Sequence, residues 1–433
     1  MFFHRGSLLE PKSSRIELCH MREALREPAR EVWGKTVILL SLASRRLPIQ
    51  SDGRPCSPSS PGSFALRRVY LSLIAHPDKV PCWALPQSKI SDGSTTAMST
   101  LASTTTVPNP RTKADYQVAW ICALPVPELY ASRLLFDETH PSLYLGNNAQ
   151  HQYLYGSISG HNVVMGCLPD GQLGEASAAA VAAEMVSAFP SLKFALLVGV
   201  GGGVWSPHND VRLGDVVVSR PDRDQRHGGV VQYDYGTARQ GHRLQFTGTL
   251  QYPRSLLTSA LNIRLSAQNE GYFPYFLDHL CRFTLPNGRV PFARPRVPDR
   301  LFASKCMHEE DEDDCDKCDS EGEIEREPRP SQMPTIHYGT IASANKVVRD
   351  AKLRDYLARK LGSRLMCFEM EAAGVLSQFN CLVIRGICDY CDSHKNKVWQ
   401  PFAAAAAAAW AKQFLREIAT DHVQRDPELI LSR

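Results

Sequence analysis

Phe368-Glu369-Met370-Glu371-Ala372-Ala373 and, a short way downstream, Val383-Ile384-Arg385-Gly386-Ile387-Cys388-Asp389 decide how this chain reads. Leu365 to Phe368 is an apolar run of strand length, with Glu369 and Glu371 at its C-terminal end. Cys381 to Cys388 is a second such run, and it ends on Asp389. Short unbroken apolar runs are the pattern of strands buried on both faces of a mostly parallel sheet. Two neighbouring parallel strands of this kind deliver carboxylates to one sheet edge, where open α/β sheets bind ligands. An acid after a strand also serves to cap the next helix, but Glu-Met-Glu commits two carboxylates to one buried strand end.

Working outward, strand and helix patterns alternate. Tyr116 to Leu124 reads as a strand, Pro125 to Pro127 as a turn, and Glu128 as the start of a helix towards Asp137. Gln152 to Ser159 and His161 to Leu168 read as a hairpin closed at Gly160, and Ala176 to Ala188 as an alanine-rich helix. Phe194 to Val200 is a buried strand ending in Gly201-Gly202-Gly203; Leu213 to Ser219 and Gly229 to Asp234 are further strands. Helices follow at Arg254–Gln268, Asp350–Leu361 and from Phe402 onward, where Ala403 to Ala409 allow close packing on the sheet. Alternation of this kind predicts an α/β fold, a three-layer αβα sandwich with a mostly parallel, mixed central sheet.

Composition narrows the partners. The chain has 433 residues and a formal charge of +4, but Glu309 to Glu327 hold twelve acidic residues against Lys317 and Arg326. The remainder therefore carries 47 basic and 33 acidic residues, spread without a block suited to nucleic acid. Small anionic ligands are the better expectation. Several of the thirteen cysteines, Cys122, Cys167, Cys367, Cys381 and Cys388, sit inside apolar runs as core residues do, which points to a reducing, cytoplasmic setting. No stretch approaches the ~20 apolar residues of a membrane span, so no membrane partner is expected.

Residues 1–113 are rich in Arg, Ser and Pro and read as a disordered leader, with Met98 as an alternative start. Residues 114–420 read as one domain, interrupted at 269–333 by an exposed acidic insertion, and 421–433 as a tail. Cys315-Asp316-Lys317-Cys318 lies in that insertion with Cys306 and His308 nearby, but four ligands at regular spacing are not evident, so no metal is assigned. Gly199-Val200-Gly201-Gly202-Gly203 lacks the last glycine of a dinucleotide fingerprint, and Pro207 follows before a helix can form. No cofactor is expected.

Five ordered segments carry a family resemblance: Ile121-Cys122-Ala123-Leu124 with Glu128, Gly199 to Gly203, Leu213 to Ser219, Phe368 to Ala372, and Val383 to Asp389. Together they resemble the purine and uridine phosphorylase (nucleoside phosphorylase) family. They are most similar to its methylthioadenosine/adenosylhomocysteine nucleosidase branch and to the domains at the N-terminus of fungal immune-receptor-like proteins. The resemblance implies cleavage of the N-ribosidic bond of a purine nucleoside or nucleotide, and a homo-oligomer. It implies that Asp389 hydrogen-bonds to or protonates N7 of the leaving base, that Glu371 accepts hydrogen bonds from the ribose hydroxyls, and that Met370 lies against the sugar. Glu369 supports that shell, Val347 and Val348 meet the base, and Gly201 and Gly202 form the strand end beside the ligand. In the family's phosphorylases an arginine and a serine bind phosphate where this chain has Leu197 and Val200, both apolar. That favours water, with Glu128 as its activator, over phosphate. A phosphorylase, and a non-catalytic nucleotide-binding signalling module of the same fold, are the alternatives. His394, Lys395 and Lys397 read as a solvated helix entry, or as a contact for 5′ phosphates.

Overall fold

The fold was taken from a computed structural model that describes residues 111–425, apart from 148, 223, 241–242, 251, 268–272, 309–314 and 316–317. The expected leader lies outside the described residues up to position 110; beyond that point the chain is already built, with a short 3-10 turn at Lys113–Asp115. Eleven strands follow: β1 (Val118–Cys122), β2 (Glu138–Thr139), β3 (Leu154–Ile158), β4 (His161–Cys167), β5 (Phe194–Gly203), β6 (Val216–Ser219), β7 (Val230–Arg239), β8 (Arg243–Thr249), β9 (Ile336–Ser343), β10 (Leu365–Glu369) and β11 (Cys381–Asp389). The helices are α1 (Tyr130–Arg133), α2 (Glu175–Ala188), α3 (Ser255–Ser266), α4 (Phe273–Arg282), α5 (Ala351–Leu361), α6 (Ala372–Gln378), α7 (Gln400–Glu417) and α8 (Thr420–Arg425).

The strands join in the order β2-β3-β4-β1-β5-β11-β6-β9-β7-β8, while β10 pairs with both β5 and β9. The pairs β5-β11, β11-β6, β6-β9, β9-β10 and β10-β5 therefore close a five-stranded barrel within the larger sheet. A flat sandwich is thus only part of the answer: helices cover both faces of the sheet, but one end of it curls shut. The strand β5 shows how. Its first half pairs with β1, Phe194 to Leu197 opposite Val118 to Ile121, and its glycine end pairs with β10, Gly202 and Gly203 opposite Phe368 and Cys367. A Cβ on Gly201 or Gly202 would run into Cys367, or into Asp389 and Cys391, so this end of the strand needs glycine to let three chains converge.

The expectation that β10 and β11 are parallel neighbours is corrected here. They flank β5 separately, β11 parallel to it and β10 antiparallel. Phe368 and Asp389 both stand opposite Gly202, so the two strand ends meet across β5 and not side by side.

One core lies under α7, where Ala403 to Ala409 are all buried and Gly386 of β11 takes the helix backbone at Ala403 in close contact. A second core lies under α2 and α6, which pack on each other. The described parts of the region 269–333 are built into the first of these to an extent that the sequence did not suggest. Phe276, Leu277 and Leu280 of α4 are buried beside α7 and Phe292 belongs to the same core, while Leu301 and Phe302 are buried elsewhere, Phe302 stacked on His394. Arg329 pairs with Asp215 at 2.7 Å and Arg326 donates to the Tyr390 hydroxyl at 2.7 Å. The acidic composition hid these anchors because the apolar residues between the charges are few and irregularly spaced. At the other end, 421–425 belong to α8 with Val423 buried, where a tail was expected. Among the described residues no helix is long and apolar enough to cross a membrane.

Candidate active site

Arg385 sits in the middle of β11 and is fully buried. Its guanidinium touches Glu369, contacts Glu371 at 3.3 Å and donates to the Val200 carbonyl at 3.4 Å. Burial works against its charge, yet Glu369, Glu371 and Glu128 together hold that charge more firmly than an ordinary arginine's. Burying a cation is tolerable only with such partners.

Glu128 reaches the same spot from the turn after β1. Its Oε2 accepts from the backbone N–H of Ala123 at 2.8 Å and of Leu124 at 3.0 Å, and its Oε1 from Val200 N–H at 2.8 Å. A Cβ on Gly199 would lie between the Glu128 carboxylate and the Arg385 guanidinium, so β5 passes directly beneath both. Burial raises the proton affinity of Glu128, and Arg385 and the three N–H groups pull the other way. The helix expected from Glu128 to Asp137 is shorter, a tight turn over Pro125–Leu129 continued by α1.

Glu371 accepts from Gly174 N–H at 3.2 Å at the entry to α2. Burial pushes its carboxyl up to about 7 against the pull of Arg385, and the nearby Glu369 and Glu128 push the same way. Glu369 has a second task, since it accepts from the backbone N–H of Glu371 at 3.0 Å and of Ala372, the first residue of α6. For Glu369 the plain capping role is therefore present alongside the ion pair. Met370 lies half-buried between them.

Asp389, at the end of β11, accepts from Cys391 N–H at 2.9 Å and from the Cys388 thiol at 3.1 Å, and its Oδ2 lies 2.8 Å from Lys395 Nζ. Burial works against the charge of Lys395, and Asp389 more than restores it. Lys395 is thus turned inward, which corrects its reading as a solvated helix entry. The buried Cys367 thiol feels Arg385 and Glu369 on one side and Asp389 and Lys395 on the other, so both charged groups border one neighbourhood. Val348 is buried in the small core containing Phe368, and Val347 is 55 % exposed. Arg349, one residue on, donates to the Lys395 carbonyl at 3.5 Å. Leu197 is fully buried core, and Val200 spends its N–H on Glu128.

Two charged partners escaped the sequence reading. Arg385 had a usable signal, because a lone cation inside an eight-residue apolar run must have buried counter-ions. Lys395 had none, because only the fold around Cys391, where φ is +56°, turns the chain back on Asp389.

The family model described as the phosphorylase superfamily matches residues 117–423. A nucleotide-binding leucine-rich repeat (NLR)-like protein of Hyaloscypha variabilis is 41% identical over 310 residues, which are 70% of this chain and 29% of that protein. The chain thus spans less than a third of that relative's length. Among solved structures, 5′-methylthioadenosine/S-adenosylhomocysteine nucleosidase of Neisseria meningitidis, in complex with methylthio-immucillin-A, is 16% identical with a TM-score of 0.44, covering 69% of this chain and 98% of that one. Futalosine hydrolase of Helicobacter pylori is 16% identical with a TM-score of 0.45, covering 71% and 100%.

Proposed function

The chain belongs to the phosphorylase superfamily, and on that premise we propose that it cleaves the N-ribosidic bond of a purine nucleoside or nucleotide with water as the acceptor. One observation supports the choice of water: Leu197 and Val200, the positions to which the family resemblance assigns phosphate binding, carry apolar side chains. Leu197 is core, Val200 N–H is bonded to Glu128, and the nearest cation, Arg385, is taken up by Glu369 and Glu371. A dianion needs uncommitted donors.

Breaking this bond builds positive charge on the sugar and negative charge on the base, and catalysis requires groups that serve both better in the transition state than before it. Glu371 faces the first task. Ionised, it accepts from the ribose hydroxyls and stabilises the cationic sugar, with Met370 against the ribose face. Glu128, raised in proton affinity by burial, takes a proton from the attacking water. Asp389 serves the leaving base at N7, and Lys395, 2.8 Å from its Oδ2, holds the carboxylate in place. Val347 and Val348 border the base, while Gly201 and Gly202, packed against Cys367, Asp389 and Cys391, bring β5 close to Asp389 and do not themselves leave a ligand space. The reading expects a homo-oligomer in the cytoplasm.

Asp389→Asn tests the reading. It keeps the shape and a hydrogen bond but cannot deliver a proton, so turnover is expected to fall by roughly 10²–10⁴-fold with KM little changed. Unimpaired turnover would remove Asp389 from the mechanism.

A second reading has its own support. Asp389 is engaged by Lys395, Cys391 N–H and Cys388 at once, and an NLR-like protein is the 41% identical relative. A module that binds a purine nucleotide without cleaving it fits both facts. Calorimetric binding of adenosine or ATP that leaves the ligand intact after prolonged incubation would favour it.

A further inference from the structure

We infer that His308, Cys315, Cys318 and His394 form a structural zinc site of two thiolates and two imidazoles. The sequence showed Cys315 and Cys318 with Cys306 and His308 nearby, but not four ligands at regular spacing. The fold supplies a further donor from far along the chain. His394 lies in the loop after β11, and the donor atoms of His308, Cys318 and His394 all fall within 4.8 Å of one another.

The spacing of His308 from Cys318 and from Cys315 suits one tetrahedral ion. Sulfur and nitrogen bound tetrahedrally to one zinc, with Zn–S ~2.3 Å and Zn–N ~2.0 Å, stand roughly 3.5 Å apart. His308 Nδ1 lies 3.2 Å from Cys318 Sγ and 3.8 Å from Cys315 Sγ. The two cysteines are joined by a tight turn, Cys318 N–H donating to the Cys315 carbonyl at 3.1 Å. The Arg300 guanidinium holds that turn by donating to the Cys315 carbonyl and, at 3.3 Å, to the Cys318 carbonyl.

His394 is the independent observation. Its side chain is 5% exposed and stacks on Phe302 at 3.8 Å, yet among the described residues neither ring nitrogen has a hydrogen-bond partner. The Asp392 carboxylate, 3.9 Å from Nδ1, is beyond hydrogen-bond reach. Leaving such a ring unsatisfied costs about 1–3 kcal/mol, and a metal ion removes that cost. Two thiolates and two neutral imidazoles also cancel the charge of one zinc ion, as a poorly solvated place requires. Ligation joins the Cys315–Cys318 turn to the loop that carries Lys395 back to Asp389, a join that the His308 N–H already makes at 2.9 Å to Ser393 Oγ.

The full chain, purified in reducing buffer without added chelator, is expected to hold one zinc per chain by elemental analysis. Replacement by cobalt(II) should give the intense visible bands of a tetrahedral site together with thiolate-to-metal charge transfer. His394→Ala and Cys318→Ser should each weaken zinc binding, in competition with a chromophoric chelator, by more than the ~10–100-fold that loss of an outer-shell partner costs. Should either variant fail to fold, the cobalt spectrum of the unaltered chain decides. A protein that neither retains zinc nor takes it up under reducing conditions overturns the site. So does a cobalt spectrum without thiolate bands, a Cys315–Cys318 disulfide that persists in reductant, or a folded His394→Ala variant of unchanged affinity.

Discussion

At the scale of single residues, Glu371 is the most informative side chain because burial holds its carboxyl at about 7, above the ordinary 4.5. The folded protein therefore binds that proton more tightly than the unfolded chain does. The stability this contributes is fully present below pH 4.5 and is lost as pH rises through about 7. On the proposed mechanism activity runs the other way, since there the sugar needs the ionised form. kcat/KM is expected to climb through about pH 7, and Glu371→Gln should flatten both profiles; a pH-rate series with denaturation midpoints at matched pH checks this. Arg385→Met leaves Glu369 and Glu371 buried without their cation and is expected to destabilise by about 3–5 kcal/mol, measured by urea titration. Strand ends drew attention to Glu371 and Asp389 in the sequence, because an acid closing an apolar run is visible without a structure, whereas Glu128 was singled out only by the family resemblance. The partners that set their behaviour were not legible there, since Lys395 and Gly174 approach from loops whose path is fixed only by the fold.

At the scale of elements, the alternation of β and α was readable, and most boundaries fell within a few residues of those seen. What the pattern lacked was the edge on which each strand docks. β10 has the same apolar texture as β11, yet runs antiparallel to β5 and closes a barrel. Composition cannot distinguish these outcomes, because a strand buried on both faces looks alike in either direction. The glycine end of β5 was the one local hint, marking a place where chains approach too closely for side chains. The same reasoning applies to Gly386, whose Cβ would strike the Ala403 backbone of α7. Gly386→Ala is expected to cost about 1–3 kcal/mol or more by pushing the helix off β11, whereas Ala404→Ser tests helix composition without that clash. Equal thermal midpoints for Gly386→Ala and the unaltered chain would contradict the packing described.

At the scale of the whole molecule, the barrel end gathers the groups to which the proposed N-ribosyl chemistry is assigned. Three carboxylates and a guanidinium lie on one side of β5's glycines, and Asp389 with Lys395 on the other. The region 269–333 was the least legible part, because its anchoring residues are scattered among charges and its His308 and Cys318 meet His394 only in three dimensions. The central claim is hydrolysis without phosphate. Purified chain is to be incubated in phosphate-free buffer with adenosine, methylthioadenosine and ATP, and the products separated by chromatography. The account predicts free purine base together with an equal amount of a free reducing ribose moiety from one of these, unchanged when phosphate is added. Base release that occurs only with phosphate and yields ribose 1-phosphate, or no release from any of them, would contradict it.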